Sequence, residues 1–155
     1  MSHNSDLDKR YSDTDLTSNM EDYMEAIAML SMTNRVVRVK DIARKLNIKM
    51  PSVTAALGKL REMNLIDYEK YGYIELTEEG KAIASRVFTR HATLTEFFHD
   101  LLQLPSPDAE DVACRVEHTL SPQACRQIHK LLEFVQSAER EKEPWTDGLK
   151  KYLAE

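Results

Sequence analysis

The sequence is short of the residues that mark several whole classes of protein. Two cysteines, Cys114 and Cys125, in 155 residues are too few for the disulfide framework of a small secreted domain. Four glycines and five prolines exclude collagen-like and low-complexity architecture, and no internal repeat is present. No apolar run approaches the ~18 residues that a membrane span requires. The polar start MSHNSDLDKRYSDTDLTSN lacks the apolar core of a signal peptide, which predicts a cytoplasmic protein with no membrane partner. Neither a Gly-rich phosphate loop nor a nucleophile motif occurs, so an enzyme is not the expectation.

What is present is a globular balance, 42% hydrophobic and 30% charged, enough apolar material to exclude wholesale disorder. The length suits one full-sized domain or two small ones. A net charge of −5, taken alone, speaks against nucleic-acid binding. Its distribution reverses that reading. From Thr33 to Lys70 there are nine Lys/Arg against four Asp/Glu, a local surplus of +5 that leaves −10 on the remainder. A basic block on an acidic chain is the footprint of a DNA-facing module joined to something else.

The hydrophobic pattern says what that module is. Residues 1–17 are polar and aperiodic, and read as a disordered arm. Ser18 with Glu21 forms a capping box, predicting a helix from about Asn19 with Met20, Tyr23, Met24, Ile27 and Leu30 as its buried stripe. Val39, Ile42, Ala43 and Leu46 make a short second helix, and Asn47 suits its left-handed end. Proline at Pro51 opens a third helix to about Met63, burying Val53, Ala56, Leu57 and Leu60. Two short helices joined by a tight turn make a helix-turn-helix. The β-prone runs Leu65-Ile66-Asp67-Tyr68 and Tyr73-Ile74-Glu75-Leu76 then predict a hairpin, the wing of a winged helix. Lys49, Lys59, Arg61 and Lys70 suit phosphates, while Ser52, Thr54 and the small Ala55, after Pro51, suit base edges and thymine methyls. Tyr71 and Tyr73 suit either the sugar-phosphate edge or packing within the wing.

Beyond Thr77 the pattern is all helical. Thr77 caps a long helix to about Leu102, with Ala84, Val87, Phe88, Leu94, Phe98 and Leu102 on one face. A helix over Asp108–Leu120 is expected to bury Val112, Ala113, Val116 and Leu120. Ser121-Pro122 starts another, with Ala124, Ile128, Leu131, Leu132 and Val135 inward. Residues 138–155 read as a charged tail or a loosely docked helix carrying Trp145, Leu149, Tyr152 and Leu153.

The 108–120 helix carries the chemistry. Glu110, Cys114, Glu117 and His118 fall on one stripe opposite the apolar side, either a solvated face or a metal-ligand set. His91 falls among apolar residues of the long helix, as a packing histidine or as a ligand. Asp22 and Glu25, one turn apart on the first helix, carry the same ambiguity. His3, His99 and His129 read as surface residues.

In order along the chain stand Met20-Glu21-Asp22-Tyr23-Met24-Glu25-Ala26-Ile27, Pro51-Ser52-Val53-Thr54, Leu76-Thr77-Glu78-Glu79-Gly80, Arg90-His91 and Cys114-Arg115-Val116-Glu117-His118-Thr119-Leu120-Ser121. As an ordered set over residues 18–137 this resembles the diphtheria toxin repressor family of metal-dependent transcription factors, which includes the manganese transport regulators. The resemblance implies a mainly α protein in the short, two-domain form. A winged helix-turn-helix DNA-binding domain over 18–77 would precede an all-helical dimerisation and metal-binding domain over 78–137. It implies a metal-dependent repressor, a homodimer that binds double-stranded operator DNA when loaded and controls metal-uptake genes. The metal ties the two domains together, which would set the recognition helices about one DNA turn apart, ~34 Å or a multiple. Ligands carried over by motif are Asp22, Glu25, His91, Cys114, Glu117 and His118, with Glu110 as an accessory candidate.

The chain mixes two branches of that family. The iron-responsive branch has methionine in place of Asp22 and shares Cys114. The manganese-responsive branch has Asp22 and Glu25 but a carboxylate in place of Cys114. Thr95 stands where the iron branch has an accessory carboxylate. Hard carboxylates favour Mn(II) and a thiolate favours Fe(II) or Zn(II), so the expected ion is Mn(II), with Fe(II) next and Zn(II) behind. The competing readings are a metal-independent winged-helix regulator sensing a small organic ligand, and a small metalloenzyme or metal store.

Overall fold

The computed structural model describes residues 9–10, 14, 16–69 and 72–154. The predicted arm therefore lies largely outside the described residues, as do His3, Lys70 and Tyr71. Two compact units emerge, one from Thr14 to Phe88 and one from Thr89 to Glu155, with which Lys9 and Arg10 group.

The first unit begins with α1, Ser18–Thr33, followed by α2, Val39–Leu46, and α3, Met50–Glu62. Thr17 rather than Ser18 caps α1. Thr17 is extended (φ −70°, ψ 154°) and its side chain accepts from the Met20 N–H, whereas Ser18 is already helical. Glu21 consequently turns inward, 5% exposed, and takes a hydrogen bond from the Thr14 hydroxyl. Tyr23, Met24 and Ile27 form the buried stripe, with Met20 and Leu30 packed at its edges. Asn47 adopts the left-handed conformation (φ 53°, ψ 44°) and ends α2. An eight-residue helix is unstable alone. Burial of Ile42 in the core it shares with Leu57 and Leu60, worth about 1.5–3 kcal/mol per side chain, holds it in place.

The wing is an antiparallel pair, β1 Ile66–Tyr68 and β2 Ile74–Leu76, with Tyr68 opposite Ile74. A third strand contact was not apparent from the sequence. Val37 bridges Ile74, whose N–H donates to the Val37 carbonyl at 3.0 Å. The β-branched Val36-Val37 pair is the signal that marks it.

Helix α4, Glu78–Glu96, starts at a close backbone approach. The Thr77 hydroxyl donates to the Asn64 carbonyl at 2.8 Å and accepts from the Gly80 N–H at 3.0 Å. Gly80 lies against Leu65, where an added Cβ would stand 1.9 Å from the carbonyl oxygen. The boundary between the units falls within this helix, after Phe88.

In the second unit the α-helical winding stops at Glu96, short of the expected Leu102. One wider π-helical turn, Phe97–Leu101, follows, with the Leu102 N–H reaching back to Phe97 at 3.1 Å. Helix α5 spans Ser106–Val116, α6 Pro122–Arg140 and α7 Pro144–Leu153. Ser121 caps α6 through the Ala124 N–H at 3.2 Å. The inward residues of α6 are Cys125, Leu132, Val135 and Ala138, while Leu131 is exposed and Ala124 and Ile128 are half-buried. The tail is a docked helix. Trp145 stacks on Phe134 at 5.9 Å, and Lys150 pairs with Glu139 at 2.9 Å, a hydrogen bond that raises the lysine's pKa. No helix of the described residues is long and apolar enough to cross a membrane.

Candidate metal centre and DNA-facing surface

Glu117 is the unusual residue of the second unit. Helix α5 ends at Val116, and Glu117 closes it, its N–H donating to the Ala113 carbonyl at 2.9 Å. Ala109, Ala113 and Glu117, spaced by four, are all fully buried. Glu117 therefore belongs to the inward face and not to the polar stripe on which its spacing from Glu110 and Cys114 had set it. Those two residues are exposed.

A fully buried carboxylate is costly unless cations or donors surround it. Two imidazoles do so. His91, on α4, places Nδ1 2.8 Å from Glu117 Oε2. His118 Nε2 lies 3.3 Å from Oε1, an ion-pair separation without hydrogen-bond geometry, and Oε1 accepts no hydrogen bond among the described residues. His91 and His118 are themselves largely buried, with side chains 18% and 13% exposed. Two nitrogen donors about a carboxylate with a buried, unsatisfied oxygen fit a divalent transition ion, whose preferred ligands are imidazole and carboxylate.

In the first unit, Asp22 and Glu25 are half-buried on α1. Tyr23 between them has its phenol pKa pushed up, chiefly by burial and further by the Asp22 carboxylate. His99 is exposed and bonded to Asp100, while His129 lies 3.5 Å from Glu133.

The same unit presents the basic surface. On α3, Val53, Leu57 and Leu60 are buried, which turns Pro51, Ser52, Thr54, Ala55, Lys59 and Arg61 to the outside with Lys49 before them. The Thr54 hydroxyl donates to the Met50 carbonyl at 3.1 Å. A recognition helix needs this arrangement, with apolar residues holding it and small polar ones exposed at its N-terminal half.

Residues 15–74 match the model of the iron-dependent repressor N-terminal DNA-binding domain, and residues 77–146 match that of the iron-dependent repressor metal-binding and dimerisation domain. The chain belongs to the iron-dependent repressor family. Among its relatives, the HTH-type transcriptional regulator MntR of Geobacillus thermodenitrificans is 37% identical over 127 residues, covering 80% of this chain and 87% of that one. An HTH-type transcriptional regulator of Methanocaldococcus jannaschii is 32% identical over 119 residues, 76% of this chain and 95% of its own. The solved manganese regulator SloR matches with a TM-score of 0.66 at 28% identity, over 77% of this chain. The match covers 55% of SloR, so this chain spans little more than half of that structure. An iron-dependent repressor family member with these two domains is a metal-responsive transcriptional repressor, and the small-organic-ligand reading is not favoured. Its resemblance to the diphtheria toxin repressor family stands on the same domains.

Proposed function

We propose that this repressor responds to Mn(II), with Fe(II) next and Zn(II) behind, and that its loaded homodimer binds a palindromic operator controlling metal-uptake genes in the cytoplasm. The proposed donors are His91, Glu117 and His118, together with Asp22 and Glu25 of α1, and with Cys114 and Glu110 in accessory places. The observation that carries the reading is the Glu117 carboxylate, sealed from water between two imidazoles with one oxygen unsatisfied. Resemblance to the family motif supports the inclusion of Asp22 and Glu25.

A bound divalent cation supplies the positive charge that so many carboxylates lack. Without it, Glu117 depends on His91 and His118 for compensation, and Asp22 and Glu25 repel one another along α1. The oxygen-rich donor set favours Mn(II) on grounds of hardness, and the likeness to the manganese regulator SloR agrees. In the first unit, Ser52, Thr54 and Ala55 would read base edges while Lys49, Lys59, Arg61 and Lys70 hold phosphates.

Mobility-shift titration of metal-stripped protein on its own upstream DNA, with and without Mn(II) or Fe(II), tests this. Operator affinity should rise with metal, and Glu117→Ala or His118→Ala should remove the rise. Equal affinity in all conditions overturns the switch.

A further inference from the structure

The contact between Val37 and Ile74 does more than widen the wing. Both residues are 2% exposed, so this bridge points into the core. Strand alternation then sends the next cross-strand pair, Arg38 and Tyr73, outward. The structure shows them there, both exposed, with the Arg38 guanidinium 5.2 Å above the centre of the Tyr73 ring.

We infer that Arg38, set over the Tyr73 ring, is a preformed DNA-phosphate contact at the base of the wing. This rests on the DNA-binding reading above and adds to it a residue outside the helix-turn-helix turn. Three observations carry it. Among the described residues no carboxylate pairs with the guanidinium: the one acid bonded to Arg38, Asp41, takes its backbone N–H at 3.1 Å and leaves the side chain to the ring. A guanidinium over an aromatic face keeps its N–H fork free for two oxygens of a phosphate, and loses less side-chain entropy on binding them. Arg38 also immediately precedes α2, the first helix of the helix-turn-helix, the helix that crosses the DNA backbone in this motif. Exposed Arg35 and Lys40 flank it and add positive charge.

Phosphate contacts are independent of base sequence, so no operator is needed to test this one. The probe is a random-sequence 30-base-pair duplex, bound by the full chain across a salt series and followed by fluorescence anisotropy. Arg38→Ala should weaken binding several-fold. It should also lower the slope of log affinity against log salt by about one per protomer. Tyr73→Phe, which keeps the ring, should behave as wild type, and Tyr73→Ala should move toward Arg38→Ala. Arg38→Lys, which keeps the charge without the planar fork, should retain the salt slope and lose part of the affinity. Unchanged circular dichroism and metal uptake would mark the Arg38→Ala loss as local. An unaltered slope in Arg38→Ala, while Lys59→Ala lowers it in the same assay, overturns the inference and leaves the DNA-binding reading intact. Absence of binding by the wild-type chain overturns both.

Discussion

At the scale of single residues, the informative groups are those whose burial conflicts with their chemistry. Glu117 is 0% exposed, and a carboxylate in that position destabilises the fold unless something compensates its charge. Glu117→Gln separates the structural requirement from the chemical one, because glutamine keeps the shape and discards the charge. Metal-free Glu117→Gln should melt no lower than the wild type, and higher if the two imidazoles compensate incompletely. Its Mn(II) affinity should nevertheless fall by more than about tenfold, the scale seen even for supporting groups around a metal. Calorimetric Mn(II) titration beside a thermal melt checks both. A variant that melts much lower yet binds Mn(II) normally would make Glu117 a packing residue. Glu21 presents a contrasting case. It is also buried, but the Thr14 hydroxyl satisfies it locally, so nothing about it calls for a metal.

At the scale of elements, the start of α4 is a joint with little room for change. Gly80 brings the helix so near Leu65 that an added Cβ would meet the carbonyl oxygen at 1.9 Å, and backbone cannot swing aside as a side chain does. Gly80→Ala should therefore destabilise the protein by about 2 kcal/mol or more, within or above the usual cost of overpacking. Its urea midpoint should fall accordingly. A midpoint within error of the wild type would mean that α4 slides at little cost. Most elements of the first unit were legible because their signals are local and redundant. The 3.6-residue period of α2 and α3, Asn47 at a left-handed end and proline early in α3 all agree. The second unit was less legible, for identifiable reasons. Periodicity takes a helix to be continuous, so the wider turn after Glu96 shifted the phase of Phe98 and Leu102, which are only half-buried. On α6 the buried stripe runs through Cys125 and Ala138, small residues that a search for large apolar side chains passes over. Glu117 was legible as a candidate ligand, but its burial was not. An acid scores as polar, and only the alanines four and eight residues before it betray the inward face.

At the scale of the whole molecule, the proposed DNA contacts belong to one unit, and His91, Glu117 and His118 to the other. A cation held by the second unit alters DNA affinity only through a difference in free energy between the protein's states, and such coupling is reciprocal. If Mn(II) raises operator affinity by some factor, operator DNA must raise Mn(II) affinity by the same factor, with about 5- to 150-fold being the usual range for such couplings. Two titrations measure this, DNA binding at zero and saturating Mn(II), and Mn(II) competition against a fluorescent chelator with and without operator. The two factors should agree for the wild type and both should collapse to one in Glu117→Gln, whose recognition helix is untouched. Enhancement of DNA binding that persists in Glu117→Gln would have a different origin, since manganese screening the phosphates directly acts on any cationic protein and needs no buried carboxylate. Equality of the two factors, lost on removing one charge from the second unit, is the signature that separates a built switch from ordinary ionic screening.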